Sequence, residues 1–166
     1  MKYHCPMPVK KPEPKWLSPK ELKAWRSYII ASRRLWDAME CDLSPHDLSM
    51  SDYEILVHLS ESPDRQARMS ELAKCAMISK SRLSHRMKVM EKAGWVRREV
   101  CKIDKRGQFA IMTEKGWKAI VKAAPDHVAS IRGRFIDHLT AKDQDDLARI
   151  FERVSEKMRE QYSEEE

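Results

Sequence analysis

The apolar positions between residues 20 and 45 fall on one stripe. Leu22, Trp25, Ile29, Ser32, Trp36, Met39 and Leu43 are separated by alternating steps of three and four, a helical period with one small polar break at Ser32. Ser18, Pro19 and Glu21 mark its start as a cap, a first-turn proline and a first-turn acid. Tyr28, Ala31 and Leu35 widen the apolar surface, so this helix needs more than one neighbour, and a partner subunit would supply one. The pattern restarts at Ser51-Asp52-Tyr53-Glu54, read as a capping box with Ser51 as the cap, and Ile55, Leu56 and Leu59 point inward. Ser70 is predicted to cap a short helix, Ser79 a second one running to about Ala93, and Gly94 closes that second helix. From Val96 the period changes to two. Val96–Cys101 and Gln108–Met112 read as strands around the polar turn Lys102–Gly107. Thr113 caps a further helix, which Pro125 should kink or break. Thr140 with Asp143 starts the last helix, whose inner face is Leu147, Ile150, Phe151, Val154 and Met158.

This order predicts a mainly α chain with a small β-hairpin wing: a winged helix-turn-helix plus a helical dimerisation lobe. The expected divisions are a flexible Pro/Lys-rich arm at 1–17, an N-terminal dimerisation helix at 18–48, the winged helix-turn-helix at 49–113, C-terminal dimerisation helices at 114–160 and an acidic tail at 161–166. Pro6, Pro8, Pro12 and Pro14 keep the arm from starting a helix.

Charge adds a function class. Between Arg65 and Arg106 there are thirteen Lys/Arg and four Asp/Glu, a net +9 against +6 for the whole chain, so the other 124 residues sum to −3. A contiguous basic block reads as a surface for a polyanion, most often nucleic acid. The N-terminus lacks the apolar core of a signal peptide, and no apolar run approaches membrane-span length, so a cytoplasmic protein, nucleoid-associated when bound, with no membrane partner is expected. Cys5, Cys41, Cys75 and Cys101 are far apart and form no CxxC, which argues against a disulfide framework or zinc knuckle. His46-Asp47, Asp126-His127 and Asp137-His138 are adjacent pairs, whose side chains diverge by about 100° on a helix and rarely share an ion, so no metal and no cofactor is expected. No Gly-rich phosphate loop, HExxH or GxSxG is present, and the chain is read as not an enzyme.

On the helix 79–93, Leu83, Met87 and Met90 share the core face, while Ser81, His85, Lys88 and Lys92 fall opposite, flanked by Arg82 and Ser84. Ser79 and Lys80 stand at its N-terminus, where free N–H groups and the helix dipole suit phosphate. Such a helix fits a major groove, with Arg donating to guanine and Ser or His reaching base edges or phosphates. The turn holds Asp104, Lys105 and Arg106; a narrow minor groove attracts Arg, so Arg106 is the expected insertion and Asp104 its orienting partner. The alternative is a non-specific architectural binder of double-stranded DNA.

Met69-Ser70-Glu71-Leu72-Ala73, Ser79-Lys80-Ser81-Arg82-Leu83-Ser84, Glu91-Lys92-Ala93-Gly94-Trp95-Val96, Asp104-Lys105-Arg106-Gly107 and Met112-Thr113-Glu114-Lys115-Gly116, in this order and spacing, resemble the MarR family. The resemblance covers about residues 20–160. It implies a homodimer joined through Lys20–Leu43 and Ala119–Met158, a recognition helix at Ser79–Ala93, a wing arginine at Arg106, and repression at pseudo-palindromic operators relieved by a small aromatic or phenolic effector. Trp25, Tyr28, Trp36, His58 and His127 are the residues from which an effector pocket could be built. A thiol-based redox trigger is the alternative, with Cys101, beside Arg98 and Lys102, electrostatically best placed.

Overall fold

The computed structural model describes residues 14–100 and 107–163, with side chains to 160. The arm before residue 14, the turn 101–106 with Cys101, Asp104, Lys105 and Arg106, and the end of the acidic tail lie outside the described residues. The chain divides into two compact units, 1–33 and 34–166.

In the first unit Ser18 and Glu21 close a reciprocal cap. The Ser18 N–H donates to Glu21 Oε2 at 2.7 Å, and Ser18 Oγ accepts from the Glu21 N–H at 3.4 Å. Helix α1 (Pro19–Leu43) starts there. Ser32, the break in the stripe, hydrogen-bonds back to the Ile29 carbonyl at 3.2 Å, so the helix absorbs its hydroxyl without a cap or turn. Trp16, Leu17, Trp25, Tyr28 and Ile30 are exposed.

The second unit carries the core. The end of α1 contributes Met39 and Leu43, and a 3₁₀ turn Ser44–His46 leads to α2 (Met50–Glu61). The cap of α2 is Ser49, two residues earlier than the pattern suggested. Ser49 Oγ accepts from the Asp52 N–H at 3.1 Å, and the Ser49 N–H donates to Asp52 Oδ2 at 3.1 Å. Ser49 wins because Asp52, three residues on, can close the box and Met50 can then join the core.

Strand β1 (Gln66–Arg68) has no counterpart in the sequence reading. It runs directly into α3 (Met69–Cys75), so α3 begins before Ser70 and Arg68, rather than a capping side chain, stands at its N-cap. The recognition candidate α4 (Lys80–Ala93) is capped by Ser79 Oγ, which accepts from the Arg82 N–H at 3.2 Å. Gly94, at φ +79°, closes it in the left-handed conformation that favours glycine. Strands β2 (Val96–Val100) and β3 (Gln108–Met112) pair antiparallel from Val96↔Met112 to Val100↔Gln108. β1 adds to the other edge of β3, Gln66↔Ile111 to Arg68↔Phe109, giving a three-stranded sheet in the order β1-β3-β2.

Helix α5 (Glu114–Arg134) runs unbroken through Pro125, contrary to expectation. Pro125 and Val121, whose carbonyl loses its helical donor, are both exposed, so water can satisfy the orphaned oxygen. A 3₁₀ turn Ile136–His138 leads to α6 (Ala141–Ser163), whose cap is the expected Thr140–Asp143 pair. The core gathers Leu43, Ile55, Leu56 and Leu59 with Leu72, Leu83, Met87, Met90 and Ala123, each 0–1% exposed. α4 is thereby seated on α2, α3 and the sheet. Among the described residues no helix is long and apolar enough to cross a membrane.

Candidate nucleic-acid interface

The inward face of α4 is apolar and fully covered; the opposite face is polar and open. Ser79, Lys80, Ser81, Arg82, His85, Lys88 and Lys92 are exposed, and Ser84 is half-buried. Arg82, Lys80 and Lys88 make no ion pair among the described residues, so their cations are available to an outside anion. Ser79 differs from the others. Its oxygen is held as the helix cap and lies 3.0 Å from Ser81 Oγ, so its first role is to start the helix.

This open face rests on a helix fixed at its C-terminal end and at its middle. At the C-terminal end Glu91 reaches β2: Arg98 donates from Nε at 3.0 Å, from Nη2 at 2.6 Å and from its backbone N–H at 3.1 Å. The Arg98 guanidinium holds the Glu91 carboxyl below its usual range, and Glu91 in turn raises the Arg98 guanidinium. Lys115 Nζ donates to the Ala93 carbonyl at 2.7 Å, satisfying one of the acceptors that a helix end leaves open. Thr113 Oγ1 donates to the Gly94 carbonyl at 2.6 Å and accepts from the Gly116 N–H at 3.1 Å. The Thr113-x-x-Gly116 pattern thus joins the exit of α4 to the entry of α5.

Midway along its length α4 is tied to α2 by Arg86, which the sequence reading passed over. Arg86 Nε donates to Asp52 Oδ1 at 2.9 Å, and Nη2 donates both to Ser49 Oγ at 2.9 Å and to Asp52 Oδ2. Asp52 is 2% exposed. A Ser-x-x-Asp box followed by an Arg flanking the apolar stripe of the next long helix was the available signal. It was obscured because the box was placed two residues late.

The helical side of the second unit holds a polar cluster. His127 is buried on α5 against Tyr53 of α2, ring centroids 4.3 Å apart, with Nδ1 unpartnered. Burial pushes the His127 imidazole down, partly opposed by Asp42, and burial pushes Tyr53 up. His46 Nε2 meets Asp126 Oδ2 at 2.8 Å. Arg134 pairs with Asp42 and Ser130, whose hydrogen bonds hold the Asp42 carboxyl low. Asp42, Ser130, Arg134, Asp126 and Cys41 line a cleft of about 550 Å³. Of the other pocket candidates, Trp36 is exposed, and His58 is half-buried, close enough to Glu54 to offset part of the upward push of burial on that carboxyl. In the first unit Trp25 and Tyr28 meet each other at 6.1 Å. Cys41 and Cys75 are exposed free thiols. Among the described residues no group of three or more His, Cys, Asp or Glu is arranged to hold a metal.

A three-helix unit with an antiparallel wing, presenting a clamped helix with an open basic face, defines a winged helix-turn-helix protein. Residues 46–107 match the model of the MarR family. The chain is 47% identical to AbsC, a MarR family transcriptional regulator from Streptomyces coelicolor, with a TM-score of 0.85 covering 88% of this chain and 99% of that one. It is 46% identical to Sco3205 from the same organism, solved in complex with DNA, with a TM-score of 0.84 covering 86% and 91%. Among curated relatives it is 30% identical over 112 residues to the HTH-type transcriptional repressor Rv2887 of Mycobacterium tuberculosis, covering 68% of this chain and 78% of the relative. Its 29% identity to the regulator PecS of Dickeya dadantii spans 57% of this chain and 58% of the length of PecS. The chain belongs to the MarR family of transcriptional regulators.

Proposed function

We propose that this chain is a sequence-specific transcriptional repressor that binds a pseudo-palindromic duplex as a homodimer. The observation that carries the reading is the exposed face of α4, where Ser81, Arg82, His85 and Lys88 stand open on a helix anchored at its middle and its C-terminal end. In this reading α4 enters the major groove, Lys80 and Ser84 meet the phosphate backbone, and Lys105 and Arg106 of the wing, oriented by Asp104, reach the minor groove. The DNA complex of Sco3205 and the description of Rv2887 as a repressor support it. The apolar stripe on α6, with Ile150, Val154 and Met158 exposed, supports a partner subunit as its cover. Release would come from a small aromatic acid, with Trp36, His58 and His127 and the Asp42–Arg134 cleft of the second unit as the places to look.

A gel shift on the DNA upstream of the coding region, with excess random competitor and a salt series, tests the reading. A discrete complex that survives competitor is expected, and Arg106→Ala should weaken it by about 1–3 kcal/mol, the scale of one good groove contact. Equal binding to random DNA would replace the reading with an architectural one.

A further inference from the structure

Arg86 lies on neither the buried nor the open face of α4; at 100° per residue it sits on the flank, roughly 70° from the direction of Leu83, Met87 and Met90. Its guanidinium reaches away from the open face to α2. There one carboxylate serves two elements. Asp52 Oδ2 accepts from the Ser49 N–H at 3.1 Å, closing the cap of α2, lies 2.6 Å from Ser49 Oγ, and also accepts from Arg86 Nη2, while Oδ1 accepts from Arg86 Nε at 2.9 Å.

Two parallel bonds between a planar fork and a carboxylate fix orientation as well as distance, which a point charge cannot do. Asp52 is 2% exposed and the Arg86 side chain 30%, so the pair is partly shielded and screened less than a bridge between two exposed side chains. The anchor adjoins the residues proposed to read bases. Arg86 shares a cleft of about 380 Å³ with Ser81, Arg82 and His85, and Arg82 is one turn before it on the same flank.

We propose that Arg86 is a positioning residue for DNA recognition: through Asp52 and Ser49 it sets the angle at which the N-terminal half of α4 presents Arg82 and His85, without itself touching DNA. The inference rests on the DNA-binding reading above. The rival role, a direct phosphate contact, leaves the bidentate geometry toward a buried carboxylate without a purpose.

The test uses the full chain on the upstream duplex and on random duplex at equal salt, with thermal unfolding to choose a temperature at which each variant is folded. The variants are Arg86→Met, which keeps the stem and removes the fork, Arg86→Lys, Asp52→Asn and the Met/Asn double. Each single change is expected to weaken specific binding by on the order of tenfold to a hundredfold, the scale of one lost base contact. Random-duplex affinity and the salt slope should stay as in wild type, and the double should be no worse than the weaker single. A different pattern overturns the inference: Arg86→Lys and Asp52→Asn binding normally while Arg86→Met lowers the salt slope by about 1, the mark of a lost phosphate contact. So does unchanged specific binding in Arg86→Met, provided the wild type is specific. Wild type that binds both duplexes alike overturns the DNA-recognition reading and this inference together. If Arg86→Met does not fold, Ser49→Gly, which removes the hydroxyl the fork uses together with the side-chain cap of α2 and leaves glycine, itself an accepted cap residue, carries the test. A smaller loss confined to the specific duplex is expected, and no loss overturns the proposal.

Discussion

Gly116 is held to glycine by backbone. A Cβ built there would stand 2.2 Å from the Trp95 carbonyl oxygen and 3.1 Å from Met112 Cγ, so the first turn of α5 packs directly on the chain leaving α4. Gly116→Ala must push α5 off that carbonyl, and thermal unfolding should register a loss of about 1–3 kcal/mol or more, the range of forced overpacking. His127 of α5 is buried against Tyr53 of α2. That burial keeps its imidazole neutral in the fold, and its pKa is pushed below the ordinary value of about 6.5. The unfolded chain therefore takes up a proton that the folded chain resists. Stability is complete above the unfolded pKa and falls as pH drops through it toward the folded pKa. His127→Phe, which keeps a ring on Tyr53, should flatten the dependence of unfolding free energy on pH between about 7 and 5. An unchanged slope would place that proton uptake elsewhere.

At the scale of elements the periodicity carried most of the fold. The alternating steps along α1, the buried Leu83, Met87 and Met90 of α4, Gly94 at its end and the Thr113 cap all sit where the pattern put them. Three features were beyond it for physical reasons. β1 is three residues long, too short to display alternation, and exists only because β3 offers it an edge. The choice of Ser49 over Ser51 depends on what Asp52 and Met50 meet in three dimensions. Pro125 is tolerated because its side of α5 faces water. Of the candidate site, residue type and helical face revealed the open residues of α4, but not what holds them. Arg98 reads in sequence as one more cation of the basic block, yet it is committed to Glu91. That pair ties the wing strand β2 to α4 and gives an acid-sensitive joint. The Glu91 carboxyl is held low by Arg98, so its contribution is present above the unfolded carboxylate range and is lost as pH falls through the lowered folded value. Glu91→Gln should be less stable than wild type at neutral pH, and the gap should begin to close below about pH 4, near the ordinary glutamate value, and vanish only below the lowered folded value. Parallel unfolding curves against pH would remove Glu91 from that account.

At the scale of the molecule the second unit has a core of its own, but α6 does not share in it. Phe151 and Leu147 are only half-buried, and Ile150, Val154 and Met158 are 38%, 43% and 49% exposed at steps of four. Five large apolar side chains on one helical face would be removed from water by a second copy, which is also what couples two recognition helices to two half-sites about one helical turn apart. Val154→Asp places a charge in the middle of that stripe without disturbing the core around Leu56, Leu83 and Met87. The expected result is a folded chain, with helical content and unfolding of the winged unit retained, that sediments as a monomer at micromolar concentration. Its affinity for the full operator should fall by on the order of 10²–10⁴, because the second half-site is no longer bound intramolecularly. Affinity for an isolated half-site should stay as it was, since α4 and its anchors are untouched. A variant that remains dimeric would move the subunit contact away from α6. A monomer that still binds the full operator with wild-type affinity would separate DNA reading from dimerisation and leave the clamped α4 to account for specificity alone.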